Sequence, residues 1–164
     1  MKKFELTSEF VTFLGKTLFR IKALVSFGDV AEGELGGFIE RENNLDQSGD
    51  AWVYGDAWVY GNAQVYGNAR VYGDAQVYGN AQVYGDAWVQ NCRDYSATSC
   101  FGSENRTTTF FRTKDGGISV RCGCFYGTLR EFREKVKERH GDSRLAKEYL
   151  MLADLMEFRL SKDE

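Results

Sequence analysis

The sequence predicts a mainly β protein: a repeat solenoid closed by β structure at its N-terminal end and by a hairpin and two helices at its C-terminal end. Three observations predict it. A six-residue unit recurs from residue 51 as AWVYGD, AWVYGN, AQVYGN, ARVYGD, AQVYGN, AQVYGD and then AWVQNC. Glycine reaches 18 of 164 residues while proline is absent, where average usage of about 5% would give roughly eight. Aromatic residues make up 15% of the chain, and many of them fall at fixed positions of the unit.

Alternation along a strand assigns each slot of the unit a direction. Val53 points inward, so Trp52 and Tyr54 on either side point outward. Gly55 and Asp56 form the corner, where glycine tolerates positive φ and Asp or Asn can bond nearby backbone. Ala57 returns inward beside the corner, where space is small. No single unit can bury its valine, so successive turns must stack. Weaker units continue upstream in the same phase, with Gly33, Ile39 and Leu45 in the alanine slot, Leu35 in the valine slot, and Gly37 and Gly49 in the glycine slot. Downstream, Ala87 and Val89 continue the series, with Tyr95 and Phe101 in the valine slot.

This unit resembles that of the hexapeptide-repeat family of left-handed parallel β-helices. The resemblance implies three units per eighteen-residue coil, a triangular section and about four coils over residues 33–104. Its handedness is taken from the family, because crossover rules alone favour a right-handed turn.

The flanks complete the organisation. Residues 1–32 form an N-terminal β cap, since Leu18, Arg20 and Lys22 alternate with Phe19, Ile21 and Ala23, and open solenoid edges need covering. Residues 105–127 read as a β-hairpin, with strands at Thr107 to Arg112 and Ile118 to Phe125 around Lys114-Asp115-Gly116-Gly117. Residues 128–164 form a helical cap. Thr128 and Glu131 make a capping box, with Leu129, Phe132 and Val136 as the apolar stripe. Gly141 ends that helix, and Asp142 or Ser143 caps the next. The second helix is apolar over more than one face, with Met151, Leu155 and Phe158 beside the stripe containing Tyr149, Leu152 and Met156. It is either sandwiched between other elements or packed on a second chain.

Three stretches resemble small hexapeptide-repeat proteins of prophages and mobile elements. They are Gly15-Lys16-Thr17-Leu18-Phe19-Arg20-Ile21-Lys22-Ala23-Leu24, Leu35-Gly36-Gly37-Phe38-Ile39-Glu40 and Arg121-Cys122-Gly123-Cys124-Phe125-Tyr126-Gly127-Thr128. That resemblance implies a phage accessory protein and carries no settled activity.

Charge and motifs narrow the function. A net charge of −3 and a pI near 5.3 argue against general nucleic-acid binding. Glu5 and Glu9 interrupt the apolar run a secretory signal needs, and no stretch approaches the ~20 apolar residues of a membrane helix. The expected compartment is the cytoplasm of a bacterial host. Cys92, Cys100, Cys122 and Cys124 lack zinc-site spacing and read as small buried hydrophobes. Cys122 and Cys124 are expected on one side of one strand. The stacked corners Asp56/Asp74, Asn62/Asn80 and Asn68/Asp86 supply too few oxygens for calcium. Acyl transfer, which the hexapeptide family implies, uses a histidine between adjacent solenoids. The sole histidine, His140, lies outside the repeat at a helix end.

No catalytic residue, metal ligand or cofactor is therefore assigned. The expected site is a partner-binding surface of outward aromatic columns. One face carries Trp52, Arg70 and Trp88 beside Tyr54 and Tyr72, and the next carries Trp58 beside Tyr60 and Tyr78. Such residues dominate interface energetics, so the leading function is a non-enzymatic protein docking on a host protein or ribonucleoprotein. The prophage resemblance adds inhibition of a bacterial defence system, in the manner of anti-CRISPR proteins. Competing expectations are a hexapeptide acyltransferase with an unusual base, and an oligomeric nucleotide sponge using Arg70, Arg121 or Arg130. Self-association through the C-terminal helix or an aromatic face is a further expectation.

Overall fold

In the computed structural model, which describes residues 1–162, each repeat unit yields one two-residue strand. Only the x and Val positions are extended before the Gly-Asp or Gly-Asn corner turns the chain. The strands are β4 (Trp52–Val53), β5 (Trp58–Val59), β6 (Gln64–Val65), β7 (Arg70–Val71), β8 (Gln76–Val77), β9 (Gln82–Val83) and β10 (Trp88–Val89). They pair in parallel with the strand three units on: Trp52 with Arg70, Arg70 with Trp88, Trp58 with Gln76, and Gln64 with Gln82. The ladder bonds are regular, as in Trp52 N to Ala69 O at 3.1 Å and Arg70 N to Ala87 O at 2.9 Å. Every repeat valine and nearly every repeat alanine is fully buried, forming the solenoid core.

The N-terminal part extends one face of the solenoid. Strands β1 (Phe4–Phe13) and β2 (Lys16–Ala23) form a hairpin, β2 pairs antiparallel with β3 (Leu35–Ile39), and β3 joins β5 in parallel. The phase of this first turn differs from the sequence expectation. Ile39 pairs with Val59 and Leu45 bridges Val65, so both occupy the valine slot and not the alanine slot. Branched side chains do not fit the space beside the corner.

Two extra residues between Leu45 and Gly49 restore the register. Leu45 faces Val65, twenty residues on, whereas a Cβ on Gly49 would meet the Gly67 carbonyl oxygen, eighteen residues on, at 2.6 Å. The extra segment anchors the cap. Gln47 Oε1 accepts the Lys3 N–H at 2.7 Å and the Phe4 N–H at 3.3 Å. The buried Lys3 ammonium donates to the carbonyls of Ser48, Gly49 and Ala51.

The solenoid ends at Val89, earlier than residue 104. This last unit has Gln90 and Asn91 where the others have Tyr and Gly, so it lacks the corner glycine. Asp94 Oδ2 instead accepts the N–H groups of Gln90 and Asn91, at 2.8 and 3.1 Å, and turns the chain out of the coil. Tyr95 and Phe101 therefore bound the first strand of a four-stranded antiparallel sheet. Its strands are β11 (Tyr95–Phe101), β12 (Arg106–Arg112), β13 (Ile118–Cys122) and β14 (Phe125–Thr128). The expected hairpin is the middle of this sheet.

Helices α1 (Leu129–His140) and α2 (Arg144–Leu160) cover it, building a second core from Phe110, Val120, Phe132, Val136, Tyr149 and Leu152 among others. The capping box forms as the sequence predicts, with Thr128 Oγ1 accepting Glu131 N–H and Glu131 accepting Thr128 N–H. Ser143 caps α2. Arg112 ties the pieces together, donating to Asp94 Oδ1 at 3.0 Å and to the carbonyls of Leu160 and Ser161.

Candidate functional site

The outward positions of the solenoid form aromatic columns, and the two ends of each column meet different surroundings. Tyr54 stacks on Tyr72 at 4.3 Å between centroids, and Tyr72 packs on Trp88 at 5.0 Å. Tyr60 stacks on Tyr78 at 5.4 Å, and Tyr66 packs on Tyr84 at 4.5 Å. Strand pairing sets these spacings, because residues in register repeat at about 4.8 Å.

Trp52 departs from expectation. It is fully buried, in edge contact with Phe4 at 6.3 Å and Phe27 at 5.3 Å. The N-terminal segment folds over this end of the column and converts an outward position into core. Trp52 is therefore removed from the partner-binding set.

Four further residues are tied to the cap. Phe13 lies on Trp58 at 5.2 Å and on Tyr60 at 5.9 Å, so both are half-buried. Tyr54 donates to Asp29 at 2.8 Å, and Arg70 donates to Tyr54 at 2.7 Å and forms an ion pair with Asp29. The hydrogen bond from Arg70 holds the Asp29 carboxyl below its ordinary range. Burial, reinforced by the bond to Asp29, pushes the Tyr54 hydroxyl up.

Tyr72, Tyr78 and Trp88 remain outward, and Tyr78 is 52% exposed. Arg70 and Trp88 also line a cleft of about 1100 Å³ between the solenoid and the C-terminal module. Lys114 lies over the Trp88 ring at 5.4 Å, and the Arg70 guanidinium sits 5.9 Å from it. Both distances fall within cation–π range. Arg130 adds a third cation, and Asp50, Asp86, Asp115, Glu131 and Glu157 add anions. The cleft is thus of mixed charge, with carboxylates in excess.

The third face escaped the expected site set. There Arg121 lies over Tyr66 and Tyr84, at 5.9 and 5.1 Å, and Tyr126 makes an edge contact with Tyr84 at 4.7 Å. The unit pattern marks the tyrosines, but Arg121, Tyr126 and Lys114 arrive from the antiparallel sheet, whose docking no local motif announces.

The remaining candidates lie elsewhere. His140 stacks on Tyr149 at 5.6 Å, away from the repeat. Cys92, Cys100 and Cys124 are exposed rather than buried, and Cys122 is half-buried with its sulfur accepting Thr108 Oγ1–H at 3.2 Å. Cys122 and Cys124 do not share a strand, because Gly123, at φ 59°, makes a turn between them. Among the described residues no group of three His, Cys, Asp or Glu side chains could hold a metal ion. At one corner, Asn62 Nδ2 donates to Asn80 Oδ1 at 3.3 Å, which stacks the two amides. Among the described residues no helix is long and apolar enough to cross a membrane.

Parallel stacks of short strands around a Val/Ala core, covered at both ends, define a β-solenoid protein. The repeat is similar to the family described as the YdcK beta solenoid repeat, whose pattern matches twice, over residues 63–79 and 75–91. No curated protein matches the chain.

Proposed function

We propose that this protein is a non-enzymatic binding protein that docks on a host macromolecule through the outward aromatic surface of its solenoid. Its docking residues are Tyr72, Tyr78 and Trp88, with Arg70 at the edge of the cleft. The observation that carries this reading is the persistence of outward rings beyond the reach of the N-terminal cap. These rings are pre-ordered by stacking, so docking costs little side-chain entropy. The finer form of the solenoid belongs to the same reading: a left-handed hexapeptide-type coil, in a protein of prophage type acting in the bacterial cytoplasm. Inhibition of a host defence complex is the purpose that such an origin favours.

The test is a tagged pull-down from a bacterial host lysate, with wild type beside Tyr72→Ala/Trp88→Ala. A stoichiometric partner retained by the wild type and lost by the double variant supports the reading. A partner retained equally by both overturns this face as the site.

Self-association through α2 is a second reading, favoured by one observation. Met151, Leu155 and Phe158 follow one helix face and are 72%, 56% and 85% exposed. Sedimentation should then show a dimer that Leu155→Asp converts to a monomer. A monomeric wild type at micromolar concentration removes this reading.

A further inference from the structure

We propose that the C-terminal module carries a separate site for a small organic carboxylate with an aromatic body. A cavity of about 350 Å³ opens between α1, α2 and the tips of the four-stranded sheet, within the usual range of small-ligand pockets. It shares none of the solenoid docking residues.

Its floor is aromatic and fixed. Phe125 lies 5.7 Å from Phe132, and Phe132 meets Tyr149 edge-on at 5.9 Å. Tyr149 is itself locked. Its hydroxyl accepts the Ser103 N–H at 3.2 Å, and its ring lies so close over Gly102 that a Cβ there would overlap it. Faces and edges of such rings favour another aromatic group over an alkyl chain.

Its rim is cationic. Arg106, Lys135 and Arg139 line the mouth, with Glu104 as the one carboxylate lining it. Glu104 is 3.5 Å from Arg106, and Lys135 is 3.5 Å from Glu138. Arg139 has no ion pair among the described residues. The Arg106 guanidinium lies directly over Gly123, where any Cβ would strike it. Excess positive charge around an apolar floor selects an anion with an apolar body, and guanidinium groups suit a carboxylate through paired N–H donors. The chain has a net charge of −3, so the cavity mouth runs against its overall sign.

Calorimetric titration with 2-naphthoate, beside 2-naphthylmethylamine as its cationic counterpart, tests the site at low salt. One saturable 2-naphthoate site is expected, with the amine at least about tenfold weaker. Lys135→Gln/Arg139→Gln changes only exposed side chains and should weaken 2-naphthoate by about tenfold. A second readout uses Cys124, which lines the cavity. In the Cys92→Ser/Cys100→Ser background, saturating 2-naphthoate should slow alkylation of Cys124 severalfold. Equal binding of carboxylate and amine, unchanged affinity in the double variant, or absence of saturable binding at millimolar concentration would each overturn the proposal.

Discussion

Replacing Trp52 by alanine separates the core use of the repeat's outward slot from its surface use. Trp52 and Trp88 occupy the same slot of the repeat and pair with the same residue, Arg70. Their surroundings differ: Trp52 is fully buried beneath Phe4 and Phe27, and Trp88 is half-buried at the cleft. An indole burying about 200 Å² is worth about 5 kcal/mol at 25 cal/mol/Å². Two terms reduce that figure. Alanine retains its own buried methyl group, and the Trp52 Nε1–H has no hydrogen-bond partner among the described residues, so removing it recovers about 1 kcal/mol. Trp52→Ala should therefore cost about 3–4 kcal/mol, within the range for large-to-small core changes. Trp52→Phe, which keeps a ring and removes the orphaned donor, should cost about 1 kcal/mol. Trp88→Ala should cost about 1 kcal/mol because much of its area is already wet. The assay is urea unfolding followed by circular dichroism, comparing midpoints at constant slope. A Trp52→Ala cost below about 1 kcal/mol, or one smaller than that of Trp88→Ala, would refute the burial argument.

Two other predictions concern the junctions with the caps. Asp94→Asn should destabilise the protein by about 2–3 kcal/mol, because Arg112 loses its ionised partner while one amide acceptor survives for the Gln90 and Asn91 N–H groups. Amide hydrogen exchange should then rise first at Trp88 to Asn91, and uniform protection there would count against the hinge role of Asp94. Lys3 gives a pH signature: burial pulls its ammonium down to about 8 from 10.5, against the opposing pull of Asp46 and Asp50. Between these values the unfolded chain binds more protons than the folded one, so stability rises with pH through that window. Below about 8 the folded state bears the full cost of a buried ammonium. Relative to Lys3→Met, the wild type should gain about 3 kcal/mol from pH 7 to pH 10.5, read from urea midpoints. A pH-independent difference would sink the assignment.

The solenoid was legible because its signal is local and repeated. Each unit states its own inward, outward and corner residues, and register follows from counting units. Legibility failed where a residue's fate depends on another part of the chain. Trp52 and Trp88 look identical in sequence, and only the arrival of Phe4 and Phe27 decides that one is core. The phase error at Ile39 and Leu45 has the same origin. The insertion between Leu45 and Gly49 is invisible until Gln47 is seen bonded to the first strand. Tyr95 matched the valine slot by counting, yet the missing glycine at Asn91 had already ended the coil. Helices α1 and α2 were readable through their caps, whereas the cationic cavity joins Arg106, Lys135 and Tyr149 from three distant segments.

The caps also explain which aromatic residues are left for a partner. An outward ring near a solenoid end can be covered by the element that closes that end, as Phe4 and Phe27 cover Trp52, Phe13 covers Trp58 and Tyr60, and Tyr126 covers Tyr84. Rings farther from the caps depend on stacking with their neighbours along the column. Tyr72 stacks between Tyr54 and Trp88, and Tyr78 stacks on Tyr60. Stacking covers ring faces and leaves outward edges and hydroxyls for hydrogen bonding. A tyrosine retained only for strand cohesion would tolerate phenylalanine, because the ring contact survives. One retained for docking would not, because the partner would lose its bond to the hydroxyl. Tyr72→Phe/Tyr78→Phe should leave the urea midpoint within about 0.5 kcal/mol of wild type while weakening partner capture. Loss of stability with capture intact would assign these rings to the scaffold alone.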